Sequence, residues 1–151
     1  MKRILPFVLF AAVAAVGWSQ SNELLDDFLA KDTADAGTSL LLVAQAAGSL
    51  ADGASAQDAM AWAAARPYGK HVAGLTADDP VSLGVFYAAL FDAYGIRISA
   101  WTKSVRSPRR AAAAAEYLNY VSIGSLYYTR AMDPGEVLTA ITKASSTEAA
   151  Q

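Results

Sequence analysis

Asp79-Pro80-Val81-Ser82-Leu83-Gly84-Val85-Phe86-Tyr87-Ala88-Ala89-Leu90-Phe91-Asp92-Ala93-Tyr94-Gly95 is the stretch on which the fold turns. The spacing predicts a helix over 80–94 with both ends marked. Asp79 supplies an N-cap carboxylate for a free amide of the first turn. Pro80 stands at the first helical position, where a missing N–H costs nothing. Gly95 stands where a left-handed C-terminal cap is wanted. Val85, Phe86, Ala89, Leu90 and Ala93 make one apolar stripe, and Leu83, Tyr87, Phe91 and Tyr94 make a second. A helix apolar on most sides is buried on most sides, so this one is expected at the centre of what the chain builds.

Upstream, Ser55 and Asp58 form a capping box for a helix over 56–65, which Pro67 stops. Before it, the apolar run Leu40-Leu41-Leu42-Val43-Ala44 centres a helix over 33–47 that Gly48 closes. That run is too short to span a bilayer and reads as a core helix. A first helix over 22–31 carries Leu24, Leu25, Phe28 and Leu29 on one face. Downstream, Ser107-Pro108 opens a helix running to about Ser122, with Gly124 ending it. Asp133-Pro134-Gly135-Glu136 is a second capping box with Pro at the first helical position. The last helix presents Val137, Leu138 and Ile141 and frays from Ser145 onward. No stretch reads as a convincing strand. The fold class is therefore all-α, a single domain of six or seven short helices.

The first 19 residues read as an export signal: Lys2 and Arg3, a short apolar run from Ile4 to Val16, then Gly17 and Ser19 for cleavage. The expected domain is 20–151, with an N-terminal helical pair over 20–50. Removing Lys2 and Arg3 from the 12 basic residues leaves 10 against 14 acidic, a formal charge of −4. That balance excludes general polyanion binding, and nucleic acid is not an expected partner. There is no Cys, hence no disulfide framework, no thiolate metal site and no Cys-linked lipid anchor. The expected location is periplasmic or secreted, without a transmembrane anchor once the signal is removed.

A shift of 54 residues carries Asp79-Pro80 onto Asp133-Pro134 and the helix at 56–65 onto that at 111–122. Two similar units follow, 55–96 and 107–144, each an Ala-rich helix, a loop and an Asp-Pro-capped apolar helix. Neither unit buries its apolar face alone, so the two are expected to pack together. The stretch from Ala114 to Ile141, with its Tyr-Val-Ser-Ile-Gly turn and Asp133-Pro134-Gly135-Glu136, resembles the S-layer homology repeat of bacterial envelope proteins. Ala59 to Ile96 is a looser copy. The positions of that family's Thr-Arg-Ala-Glu signature read Val81-Ser82-Leu83-Gly84 and Gly135-Glu136-Val137-Leu138 here. The resemblance implies a helical envelope protein in contact with a cell-wall polymer.

Half of the basic residues left after the signal crowd one stretch: Arg97, Lys103, Arg106, Arg109 and Arg110, around Trp101. Arginines beside an aromatic ring suit an anionic polymer, a headgroup layer or an acidic protein surface. These six residues are the candidate binding site. Tyr117, Tyr120, Tyr127 and Tyr128 form an aromatic cluster near the loop of the second unit. His71, alone of its kind, lacks evident partners for catalysis or metal binding. No phosphate loop, metal spacing or nucleophile motif is present, so no cofactor is expected. The expected function is a non-catalytic, envelope-associated interaction module binding an envelope protein or cell-wall polymer. Two rivals make structural demands. A small wall hydrolase needs Glu116 in a cleft facing Asp92 or Asp133. A carrier of an apolar ligand needs a cavity lined by residues such as Leu42, Phe86 and Leu90.

Overall fold

Every regular element of the described residues is helical. The structure, a computed structural model, describes residues 22–97, 106–122 and 127–148. The stretch 1–19, expected from sequence to be an export signal, lies outside them. The chain divides into two units, Met1–Lys31 and Asp32–Gln151. Within the first, residues 22–29 form α1. Phe28 is buried and Leu25 half-buried, while Leu24 and Leu29 are exposed, so the apolar face read from sequence is only half used.

The second unit holds α2 (Ala36–Ala46), α3 (Ala56–Ala64), a 3-10 turn (Gly69–His71), α4 (Leu83–Ala93), α5 (Pro108–Tyr117) and α6 (Pro134–Glu148). α2 packs chiefly on α3 and α4 chiefly on α5, while α2, α4 and α6 touch pairwise. Residues Leu83 to Phe91 of α4 are all buried, as the double apolar stripe requires. Phe86, Tyr87, Phe91 and Tyr120 meet edge-on or tilted, with ring centroids 5.3–5.7 Å apart. Such aromatic geometry adds specificity to the area buried.

Helices α2, α4 and α6 start beside a ring of three backbone hydrogen bonds. Ala34 N–H donates to the Met132 carbonyl at 2.8 Å, Met132 N–H to Val81 at 3.1 Å, and Val81 N–H to Ala34 at 2.8 Å. All three residues are fully buried, and two isolated antiparallel bridges, Asp35–Pro80 and Ser82–Ala131, flank the ring. Each ring residue is followed by a helix cap. Asp35 accepts the Thr38 amide at 2.7 Å, Ser82 the Val85 amide at 3.4 Å, and Asp133 the Glu136 amide at 2.9 Å. The opening amides of two helices are then satisfied by the chain entering the next. Ala36 and Gly37 donate to Asp79 and Ala77, and Leu83 and Gly84 donate to Arg130 and Tyr128. These are donors a helix start otherwise leaves unpaired. In α6 the corresponding first position is Pro134, which has no N–H to satisfy.

This ring corrects the reading of the central helix. α4 begins at Leu83 with Ser82 as its cap, not at Pro80 with Asp79. Val81 cannot be helical, because other segments hold both its amide and its carbonyl. The Asp79 carboxylate accepts the Thr76 amide at 2.7 Å, which holds it below the usual carboxylate range. Likewise α2 begins at Ala36, later than 33.

The helix ends repeat as well. Gly48, Gly95 and Asn119 follow α2, α4 and α5 at φ of 65°, 62° and 59°. After each, the next residue donates back five positions: Ser49 to Ala44, Ile96 to Phe91 and Tyr120 to Ala115. This paired left-handed cap satisfies carbonyls that a helix end otherwise leaves unpaired. Asn119 therefore ends α5 well before Ser122, and Gly124 lies outside the described residues. At the other end, α6 runs on to Glu148, and the Ser146 and Thr147 hydroxyls bond back to the Lys143 carbonyl. The hydrogen bonds thus align Ala34 with Val81 and Met132, shifts of 47 and 51 residues, where the sequence suggested 54.

Candidate functional site

α5 owes its placement to small residues. Pro108, Ala111, Ala112, Ala114 and Ala115 are buried. Gly84 of α4 lies so close that a Cβ there would stand 2.7 Å from the Pro108 carbonyl oxygen. The opposite face of α5 carries Arg109, Arg110, Ala113 and Tyr117, all exposed, with Glu116 half-exposed. Arg109 and Arg110 occupy the first turn, where the helix dipole disfavours cations. Ser107 makes no side-chain capping bond there, and no acid stands in that turn.

Arg97 and Arg106 are exposed on either side of 98–105. Trp101 and Lys103 fall within that stretch and lie outside the described residues. None of Arg97, Arg106, Arg109 and Arg110 has a hydrogen-bond or ion-pair partner among the described residues. Arg66, Arg130 and Lys143 are engaged. Arg66 lies 3.7 Å from Asp92 and over the Trp62 ring. Arg130 grips Glu136 with two bonds. Lys143 bonds the Leu118 and Asn119 carbonyls at the end of α5 and covers Tyr120.

The tyrosine cluster splits. Tyr120 packs into the aromatic core, whereas Tyr117, Tyr127 and Tyr128 are exposed, Tyr117 by 84% and Tyr127 by 76%. The Gly84 amide donates to the Tyr128 carbonyl at 2.8 Å, and Pro108 crowds the same glycine. The backbone carrying Tyr127-Tyr128 is therefore pinned beside the start of α5. Sequence separation hides this proximity, which only the long-range bond to Gly84 reveals.

Glu116 sits on the outward face of α5. Its proposed carboxylate partners are occupied, Asp92 with Arg66 and Asp133 with the cap of α6. Phe86 and Leu90 are fully buried but Leu42 is half-exposed. His71 is exposed in the 3-10 turn. Among the described residues, no group of three or more His, Cys, Asp or Glu is placed to hold a metal. No described helix is long and apolar enough to cross a membrane.

Asp92 lies in the last turn of α4, at the negative end of the dipole. Burial raises its carboxyl above the usual range, and Arg66 only partly offsets this. Its Oδ2 has no hydrogen-bond donor among the described residues, and nor does the buried Tyr68 hydroxyl have a partner. A raised folded-state pKa for an acid means stability is gained as pH falls through that value. Asp92→Asn should therefore raise stability at neutral pH by up to about 1 kcal/mol. The gain should shrink as pH falls through the raised range of the native carboxyl; unfolding curves at neutral and acid pH check it.

No family model, no curated protein and no solved structure matches this chain.

Proposed function

We propose that this chain is an exported, non-catalytic, envelope-associated interaction module. Its contact surface comprises Arg97, Trp101, Lys103, Arg106, Arg109 and Arg110, and its partner is an acidic envelope protein or an anionic cell-wall polymer. One observation carries the reading. In an acidic chain, four exposed arginines stand without partners among the described residues, two of them where they weaken their own helix. Arginine and tyrosine are the residues that most often anchor interfaces. A local cationic field on an acidic protein steers acidic partners toward it. The N-terminal signal and the resemblance to S-layer homology repeats favour an envelope setting.

The test is a stability measurement beside a capture measurement. Arg109→Glu/Arg110→Glu puts acids in the first turn of α5, where the dipole favours them, and should stabilise the protein by about 1 kcal/mol. Adding Arg106→Glu should abolish recovery of envelope protein or wall polymer from an envelope fraction. A more stable protein that binds less separates a contact surface from a structural one. Equal recovery of every component would overturn the reading.

A further inference from the structure

We infer that the α5 face also receives a second copy of this chain, through the outer face of α1. The inference rests on reading the arginine face as a contact surface and names one of its partners. Among the described residues, the exposed large apolar side chains are Leu24, Leu29, Tyr117, Tyr127 and Tyr128. They fall in two places only, α1 and the α5 region, and the two places carry opposite charge. On α1, Glu23, Asp26 and Asp27 recur at i, i+3 and i+4, one exposed helical face. Leu24 and Leu29 flank it. None of these three acids has an ion-pair partner among the described residues. On α5, Arg109, Arg110, Ala113 and Tyr117 make the matching face, with Tyr127 and Tyr128 beside its start.

Each face groups like charges and borders them with large apolar groups. Laid together, the two faces let opposite charges pair. The acids meet arginines of the other copy, and Leu24 and Leu29 gain tyrosine rings to bury against. Apolar surface removed from water then supports ion pairs that, exposed alone, would contribute little. A contact between unlike faces closes into a dimer when reciprocal and extends into a series when not. Both forms carry the same dependence on salt and on the sign of the charges.

Sedimentation velocity on the protein purified after export tests this. At low salt the average mass should rise with concentration and return to the monomer value at high salt. Arg109→Glu/Arg110→Glu alone and Asp26→Arg/Asp27→Arg alone should each weaken association about tenfold or more, since like charges now face each other. An equal mixture of the two variants should associate again, because acidic α5 meets basic α1. Leu24→Ser/Leu29→Ser should weaken association with its salt dependence kept. A wild-type protein that stays monomeric at low salt, or a mixture that fails to associate, overturns the inference. If capture from the envelope still depends on the arginines in that case, the contact-surface reading stands and only the second copy is lost. If association behaves as expected while envelope capture ignores the arginines, the reverse holds.

Discussion

Gly84→Ala is expected to cost about 2–3 kcal/mol, the upper range for forcing an atom into a filled site. The same change at Gly135 should leave stability within about 0.5 kcal/mol of wild type, because helix propensity gains roughly what a tight contact loses. Both glycines hold the second position of a helix, two residues after a cap and three after a member of the hydrogen-bonded ring, as does Gly37. Their surroundings differ. At Gly84 the new methyl would lie 2.7–2.9 Å from the Pro108 carbonyl oxygen, Cβ and carbonyl carbon. Backbone at the start of a helix cannot step aside without moving α5. At Gly37 it would meet Ala77 and Ala56 at 2.7 and 2.9 Å, so that variant should also lose stability. At Gly135 it would meet only the Asp133 carboxylate oxygen, at 3.2 Å. Chemical denaturation followed by circular dichroism at 222 nm (a helix-sensitive wavelength) orders the three. Equal losses at Gly84 and Gly135 would mean that α5 does not lean on α4 through this glycine.

The same comparison shows what the sequence made legible. Chemistry contained within four residues was readable. Ser55 with Asp58 and Asp133 with Glu136 form the reciprocal capping bonds expected of them. Gly48 and Gly95 adopt the left-handed conformation their positions implied. The burial of α4 followed from its two apolar stripes, and the all-helical class followed from the rest. What stayed hidden depends on partners far along the chain. Asp79-Pro80 carries the local grammar of a helix start, yet Val81 is held by Ala34 and Met132, so the helix waits until Ser82. No local pattern announces that competition. Asn119 carries no such local signal, since few residues other than glycine adopt a positive φ.

The candidate site divides along the same line. Crowded arginines on an acidic chain are visible in composition alone, and Arg97, Arg106, Arg109 and Arg110 are indeed exposed. The place of Tyr127 and Tyr128 beside Pro108 was not visible, because it is made by one backbone bond from Gly84. The acidic face of α1 was visible as charge. Its likeness to the α5 face emerged only once exposure was known for Leu24, Leu29 and the tyrosines.

Glu136→Ala should cost about 2 kcal/mol, roughly 1 from the capping box and the remainder from a half-exposed bidentate pair. Glu136 accepts from Arg130 at 2.6 and 2.8 Å and from the Asp133 amide at 3.2 Å. Arg130 in turn offers its carbonyl to Leu83 at the start of α4. One carboxylate thus ties the first turn of α6 to the segment that enters the ring. Its bonds with Arg130 hold it below the usual carboxylate range, against the opposing effect of burial. The sign follows from linkage: a depressed folded-state pKa contributes stability that is complete above the unfolded value and lost as pH falls through the folded one. The native protein should therefore weaken on acidification below the ordinary glutamate range, whereas Glu136→Ala should show a flatter acid limb. Glu136→Gln keeps an oxygen for the Asp133 amide but loses the charge, so it should fall between the two at neutral pH. In acid it should converge on wild type, whose carboxyl is then neutral as well. If Glu136→Gln matched wild type at neutral pH, the ion pair would contribute nothing and the cap alone would account for the junction of α6 with the ring.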